Sequence, residues 1–204
     1  MLDELTYIHR FIPADVPGKP PLLLLHGTGG DENDLIPLGQ AVAPGAALLS
    51  PRGNVLEGGM PRFFRRLAEG VFDEADVRRR AEELAAFIAA ARARYDLPAP
   101  VALGFSNGAN IAAALLELIP DALAGAVLIR AMVPLKDMPK ANLAGKPVLL
   151  LSGAMDPIVP EANAARLAAD LTLMGAALTH KVLPVGHGLS QGDLTLAQAW
   201  LAQR

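Results

Sequence analysis

The chain has 204 residues, no cysteine, 52% hydrophobic but only 4% aromatic residues, and a formal net charge of −3. That length predicts one domain of moderate size, residues 1–204, with core enough to need no metal or disulfide staple. The missing cysteines exclude a disulfide framework, a thiolate zinc or iron–sulfur site and a cysteine nucleophile, and the slightly acidic balance gives no electrostatic footprint for nucleic acid or anionic membrane.

The opening residues Met1 to Leu5 lack the basic start and long apolar run of a signal peptide, so the expected location is cytoplasmic. His9 sits in an early strand-like segment. Residues 20–26 form a short continuous apolar run, as expected for a strand covered on both faces. After Gly27 to Gly30, Asp31 is placed to cap a helix over about 32–43, and residues 46–50 are a second short apolar run ended by Pro51-Arg52-Gly53. Asp73 caps a long helix in which Val77, Ala81, Leu84, Ile88, Ala91 and Tyr95 recur at steps of four and three, one apolar face. Arg78, Arg79 and Arg80 beside that stripe fit a solvated face paired with Glu82 and Glu83 better than a nucleic-acid patch.

Residues 97–116 carry no charge and are long enough for a membrane span, but Pro98, Pro100, Gly104, Ser106, Asn107, Gly108 and Asn110 interrupt them. A buried strand, a turn and a buried helix fit better. Strands are expected at 100–105, 125–130, 147–152 and 177–183, with helices at about 107–118, 160–174 and 193–202. This alternation predicts an α/β fold with a mostly parallel central sheet and helices on both faces. Crossovers in such a sheet are right-handed, and ligands sit beyond the carboxyl ends of the strands.

The loops after those strands carry the chemistry. Gly104-Phe105-Ser106-Asn107-Gly108 follows an apolar strand and opens an apolar helix, the setting of a G-x-S-x-G nucleophile elbow. The plain alternative is a strand-to-helix turn with Ser106 as an N-cap. A serine hydroxyl needs an adjacent base. Of the four histidines, His180 lies inside a strand, while His187 lies in a glycine-flanked loop after the last strand, free to face a serine. Asp156 is the acid in the loop after strand 147–152, although Asp-Pro is also a common turn. The order Ser106, Asp156, His187 is that of α/β hydrolases. Two N–H groups should face a developing oxyanion: that of Asn107, and one in His26-Gly27-Thr28-Gly29-Gly30, where Thr28 is preferred to Gly29. His26 then holds this loop. The same glycines lack the spacing of a phosphate-binding loop.

These four segments, His26 to Glu32, Gly104 to Asn110, Gly153 to Pro160 and Gly186 to Leu189, resemble the phospholipase/carboxylesterase family of α/β hydrolases, which includes the acyl-protein thioesterases. The likeness runs from about residue 20 to the C-terminus. It implies an α/β-hydrolase fold, a serine esterase with Ser106, Asp156 and His187 as its triad, a small carboxylic ester as partner, and frequent homodimers. The elements above use nearly the whole chain and leave no length for a large cap domain. Gly58 to Phe64 is similar to the acyl-pocket loop of such esterases, with Phe63 where tryptophan is frequent, so Met60, Phe63 and Phe64 are expected to line the substrate pocket. Val185 stands where many relatives have a second glycine.

The expected reaction is a two-step acyl transfer through an acyl-enzyme, needing no metal or organic cofactor. A thioesterase or lysophospholipase would use the same machinery. A non-catalytic binding module on the same fold should have lost a triad residue, and a peptidase would need an added domain.

Overall fold

In a computed structural model of the chain, which describes residues 5–204, the apolar runs become strands because both of their faces are covered. The first four residues, where the sequence shows no signal-peptide pattern, lie outside the described part. In chain order the elements are β1 (His9–Ile12), β2 (Leu22–Leu25), α1 (Ile36–Val42), β3 (Leu48–Pro51), β4 (Val55–Glu57), β5 (Met60–Arg62), β6 (Arg66–Ala68), β7 (Val71–Phe72), α2 (Glu74–Tyr95), β8 (Val101–Phe105), α3 (Asn107–Leu118), β9 (Gly125–Ile129), β10 (Pro147–Gly153), α4 (Glu161–Leu173), β11 (Ala177–Leu183) and α5 (Gln191–Leu201).

Seven strands form one sheet in the order β1-β3-β2-β8-β9-β10-β11. Only β1 runs antiparallel, against β3. The chain steps from β2 outward to β3 and then returns to lay β8 on the other side of β2. The order therefore reverses between β2 and β8, and that switch point is where ligands settle in open α/β sheets.

Two apolar layers sandwich the sheet. Leu23, Leu25, Ala102, Leu128 and Leu150 face a core built with α2, α3 and α4. Leu22, Leu24, Leu103, Ile129 and Leu151 face one closed by α1 and α5. Successive residues of one strand thus feed opposite layers, which is why the strands are apolar throughout. Among the described residues no helix is long and apolar enough to cross a membrane.

Three local expectations change. α1 begins at Ile36 rather than near residue 32. Asp31 Oδ1 accepts the Asn33 N–H at 2.7 Å in a tight turn, and Pro37 sits in the first helical turn, where its missing N–H costs nothing. α5 begins at Gln191 instead of 193, because Ser190 and Asp193 form a reciprocal capping box. Gly58 to Phe64, expected as a loop, falls in a stretch over 55–72 that folds into two short hairpins, β4–β5 and β6–β7, beside the carboxyl ends of the central strands. Asp73 caps α2 as expected, accepting the Asp76 N–H.

Candidate active site

The turn from β8 into α3 is too tight for side chains at its two glycines. A Cβ on Gly104 would stand 2.6 Å from the Gly108 carbonyl oxygen, and one on Gly108 would stand 1.9 Å from that of Leu25. Between them Ser106 is forced to φ 51° and ψ −114°, a conformation that a non-glycine residue rarely takes. Its N–H donates to the Ile129 carbonyl at 2.9 Å, tying the turn to the neighbouring strand.

His187 and Asp156 reach this serine from the loops after β11 and β10. The Asp156 carboxylate, its side chain fully buried, lies 2.8 Å from His187 Nδ1. A carboxylate can only accept, so Nδ1–H donates and Nε2 is left to accept the Ser106 hydroxyl at 2.9 Å. The other Asp156 oxygen accepts the N–H groups of Ile158 at 2.8 Å and Val159 at 3.0 Å. Burial by itself would raise the Asp156 pKa, but those two N–H groups and the imidazole outweigh it and hold the carboxyl below its usual range. Val185, where a glycine is frequent in the similar esterases, does not take positive φ, so the loop accommodates valine.

The turn after β2 faces the elbow across the switch point. The Gly29 N–H donates to the Pro61 carbonyl at 3.0 Å and the Gly30 N–H to that of Gly27 at 3.1 Å. Among the described residues, the N–H groups of Gly27 and Thr28 make no hydrogen bond in this turn, nor does that of Asn107 at the α3 N-terminus, where the helix dipole adds positive potential. His26 is buried and structural. Gly53 N–H donates to its Nε2 at 2.9 Å, so Nδ1–H donates to the Gly27 carbonyl at 2.7 Å. Burial keeps its pKa low and the ring neutral.

Two cavities flank Ser106. A tight one of about 40 Å³ is lined by Phe72, Asn107, Met132, Val159 and His187, with Arg62, Arg66 and Glu69 at its polar edge. A more open one of about 230 Å³ is lined by Thr28, Phe105, Ile158 and His187. A third, of about 260 Å³, lies at the amino end of β2 between Leu22, Val42 and Leu201, remote from these groups. Among the described residues no group of three or more His, Cys, Asp or Glu side chains is placed to hold a metal ion.

None of the three residues expected in the pocket wall lines either cavity. Phe63 and Phe64 are fully buried in the core under the hairpins, Phe63 against His26 with ring centroids 4.7 Å apart and Phe64 against Phe72 at 5.0 Å. Neither ring lines either cavity. Met60 is exposed with its sulfur beside Gly29, at the rim and in neither wall. Unforeseen was Arg62, only 3% exposed, whose guanidinium donates to Thr28 Oγ1 at 2.9 Å and to the Phe64 carbonyl at 3.2 Å. An arginine inside a glycine-rich apolar segment was the available sign of it.

A family model described as Phospholipase/Carboxylesterase matches residues 8–203. MhqD of Bacillus subtilis (strain 168), which bears the name of a hydrolase, is 45% identical over 181 residues, 88% of this chain and 90% of that protein. A crystal structure of the Bacillus cereus carboxylesterase superposes with a TM-score of 0.95 at 48% identity, covering 97% of this chain and 94% of that one. A carboxylesterase from Mesorhizobium loti superposes with a TM-score of 0.92 at 32% identity, over 97% and 95% of the two chains.

Proposed function

The chain belongs to the phospholipase/carboxylesterase family of α/β hydrolases, and from that premise we propose that it is a serine carboxylesterase acting on small carboxylic esters through Ser106, His187 and Asp156. The observation that carries this reading is the continuous hydrogen-bonded line from Ser106 Oγ through both His187 nitrogens to Asp156, at 2.9 Å and 2.8 Å.

The hydroxyl of Ser106 attacks the ester carbonyl while His187 Nε2 takes its proton. Asp156, ionised and buried, stabilises the imidazolium and holds the ring in the tautomer that leaves Nε2 free. Charge building on the carbonyl oxygen meets the N–H groups of Asn107 and Thr28. His187 then protonates the departing alcohol. Water repeats the sequence on the acyl-enzyme, releasing the acid and restoring Ser106. The strain at Ser106 holds the hydroxyl in place before substrate arrives, so little reorganisation is needed at the moment of attack. The tight cavity restricts one half of the ester to a few heavy atoms, and the open one admits a larger or more varied second half.

The test is a panel of nitrophenyl esters and matched thioesters of graded acyl length, assayed with the wild type and with Ser106→Ala. Short-chain esters should be turned over, with kcat reduced at least about 10³-fold by the substitution. An alanine variant that keeps most of the activity would overturn the assignment. Consistently faster thioester cleavage would move the reading to a thioesterase.

A further inference from the structure

We propose that Arg130 is a positioning residue for His187, a buried clamp that together with Asp193 sets the distance between the histidine and Ser106. The proposal rests on the esterase reading above, and it concerns a pair of residues that lie outside every motif that led there.

Arg130 follows β9, and both its side chain and that of Asp193 are 0% exposed. The two are joined in a fork, Nη1 to Oδ1 at 2.9 Å and Nη2 to Oδ2 at 2.8 Å. The remaining guanidinium N–H groups are spent on backbone, Nη1 also reaching the Leu151 carbonyl at 3.2 Å. Nε donates to the Gly186 carbonyl at 3.0 Å and Nη2 to the Gly188 carbonyl at 3.3 Å. These are the two carbonyls on either side of His187. Asp193 grips the far end of the same loop, accepting the Ser190 N–H at 2.8 Å and the Ser190 hydroxyl at 2.7 Å.

The other end of the clamp is fixed to the serine. Ile129, the residue before Arg130, accepts the Ser106 N–H at 2.9 Å, and the Arg130 N–H donates to Leu151 at 2.9 Å. One dipeptide, Ile129-Arg130, therefore holds the backbone of the serine on one side and the backbone of the histidine on the other. The loop has no slack beneath it: a Cβ on Gly153 would meet the carbonyl oxygens of Val185 at 2.5 Å and Gly186 at 2.7 Å.

Backbone strain points the same way. Three non-glycine residues among those described take positive φ: Asp96, an ordinary helix C-cap, then Ser106 and Arg130 at 59°. Strain of this kind collects where geometry is under functional constraint. A fully buried ion pair is also a poor stabilising device in itself, since desolvation offsets most of its attraction. A guanidinium is suited to the task because its five donors are planar and fixed, so it serves a carboxylate and three carbonyls in one arrangement.

Two variants test this, Arg130→Lys and the apolar double replacement Arg130→Met with Asp193→Leu. Each is followed by melting temperature, by kcat and KM on nitrophenyl acetate, by the rate at which a fluorophosphonate labels Ser106, and by the low-field proton resonance of the His187 Nδ1–H. The double variant should melt within a few degrees of wild type, because no charge is stranded. It should lose at least tenfold in kcat with KM within about threefold, label slowly, and show a broadened low-field resonance. Arg130→Lys keeps the charge pair but cannot span both carbonyls, and should show the same split. Displacements near 1 Å are enough for losses of this order. Either variant folded with wild-type kcat and a wild-type resonance would overturn the proposal, as would loss of folding in both, which would make the pair purely structural. Labelling by fluorophosphonate without turnover of any nitrophenyl ester would sink the ester reading alone, since the labelling rate still reports the clamp.

Discussion

Gly108 lies so close to Leu25 that a Cβ on it would stand 1.9 Å from the Leu25 carbonyl oxygen. The first turn of α3 is thereby seated directly on the carboxyl end of β2, which brings the Asn107 N–H next to the turn that carries the Thr28 N–H. Gly108→Ala must push these apart, because the clash is with backbone rather than with a movable side chain. We expect a loss of stability of about 1–3 kcal/mol and a fall in kcat of about 10²-fold, with KM much less affected. Urea unfolding and steady-state kinetics on nitrophenyl acetate check this, and a variant with wild-type kcat would show that the close approach has no part in holding the two donors.

Asp156→Asn separates the carboxylate's charge from its place in the fold. The amide oxygen still accepts the Ile158 and Val159 N–H groups, so the loop should keep its shape. Its NH₂, however, faces His187 Nδ1 and donates, which forces the proton onto Nε2 and leaves no acceptor for the Ser106 hydroxyl. We expect kcat to fall by about 10⁴-fold with little change in melting temperature. The depressed pKa adds a linkage. Asp156 contributes stability that is fully present above its ordinary value of 3.8 and is lost as pH falls through its lower folded value. The advantage of wild type over the asparagine variant should therefore shrink as pH falls below about 4, as acid titrations of both proteins would register.

The distribution of what was readable follows from the range of the interactions. β2, β8, β9 and β10 are buried on both faces, so their burial is written into consecutive apolar residues, and the elbow's sharp turn demands glycines at fixed offsets. Each is a local cause with a local signature. The strands of 55–72 are two or three residues long, too short to show a period, and their pairing depends on glycine turns that also suit open loops. The likeness of Gly58 to Phe64 to an acyl-pocket loop places Phe63 and Phe64 in that segment, but which way their rings face depends on packing against His26 and Phe72, outside that segment. Arg130 is a single charge after an apolar strand, and the Asp193 it needs is 63 residues away. Nothing short-range marks that pair.

The tight cavity's apolar wall gives a prediction about chain length. Met132 and Val159 close it with Phe72, while Phe63 stands in the core behind. Met132→Ala should open room for at least one further methylene and raise the rate on hexanoate relative to acetate esters by at least about tenfold, since one methylene accommodated is worth about 1–3 kcal/mol. Phe63→Ala should instead cost about 3–5 kcal/mol of stability and leave the ratio of the two rates unchanged. Competition assays with mixed esters, beside thermal melts, distinguish the two. A shift in chain-length preference from Phe63→Ala would put that ring back in the substrate's path.

Glu117 sets the most direct test by pH. It lies one residue from the end of α3, is 4% exposed, and its Oε2 has no hydrogen-bond partner. Burial, with the nearby Asp170 carboxylate adding to it, outweighs the attraction of Arg166 and Arg78 and pushes its pKa up to about 8. The C-terminal end of a helix also disfavours negative charge. In the unfolded chain the same carboxyl ionises near 4.5. Below that value both states are protonated and the group is neutral to stability. Between about 4.5 and 8 the unfolded state ionises while the folded state does not, so stability falls with rising pH, by up to about 1.4 kcal/mol per unit from this group alone. Above about 8 both states are ionised and the penalty no longer grows. Glu117→Gln has no such slope. Its melting temperature should match or trail wild type at pH 5 and exceed it increasingly at pH 6, 7 and 8. A difference that stays flat across that range would mean that the folded carboxyl finds a partner and ionises normally.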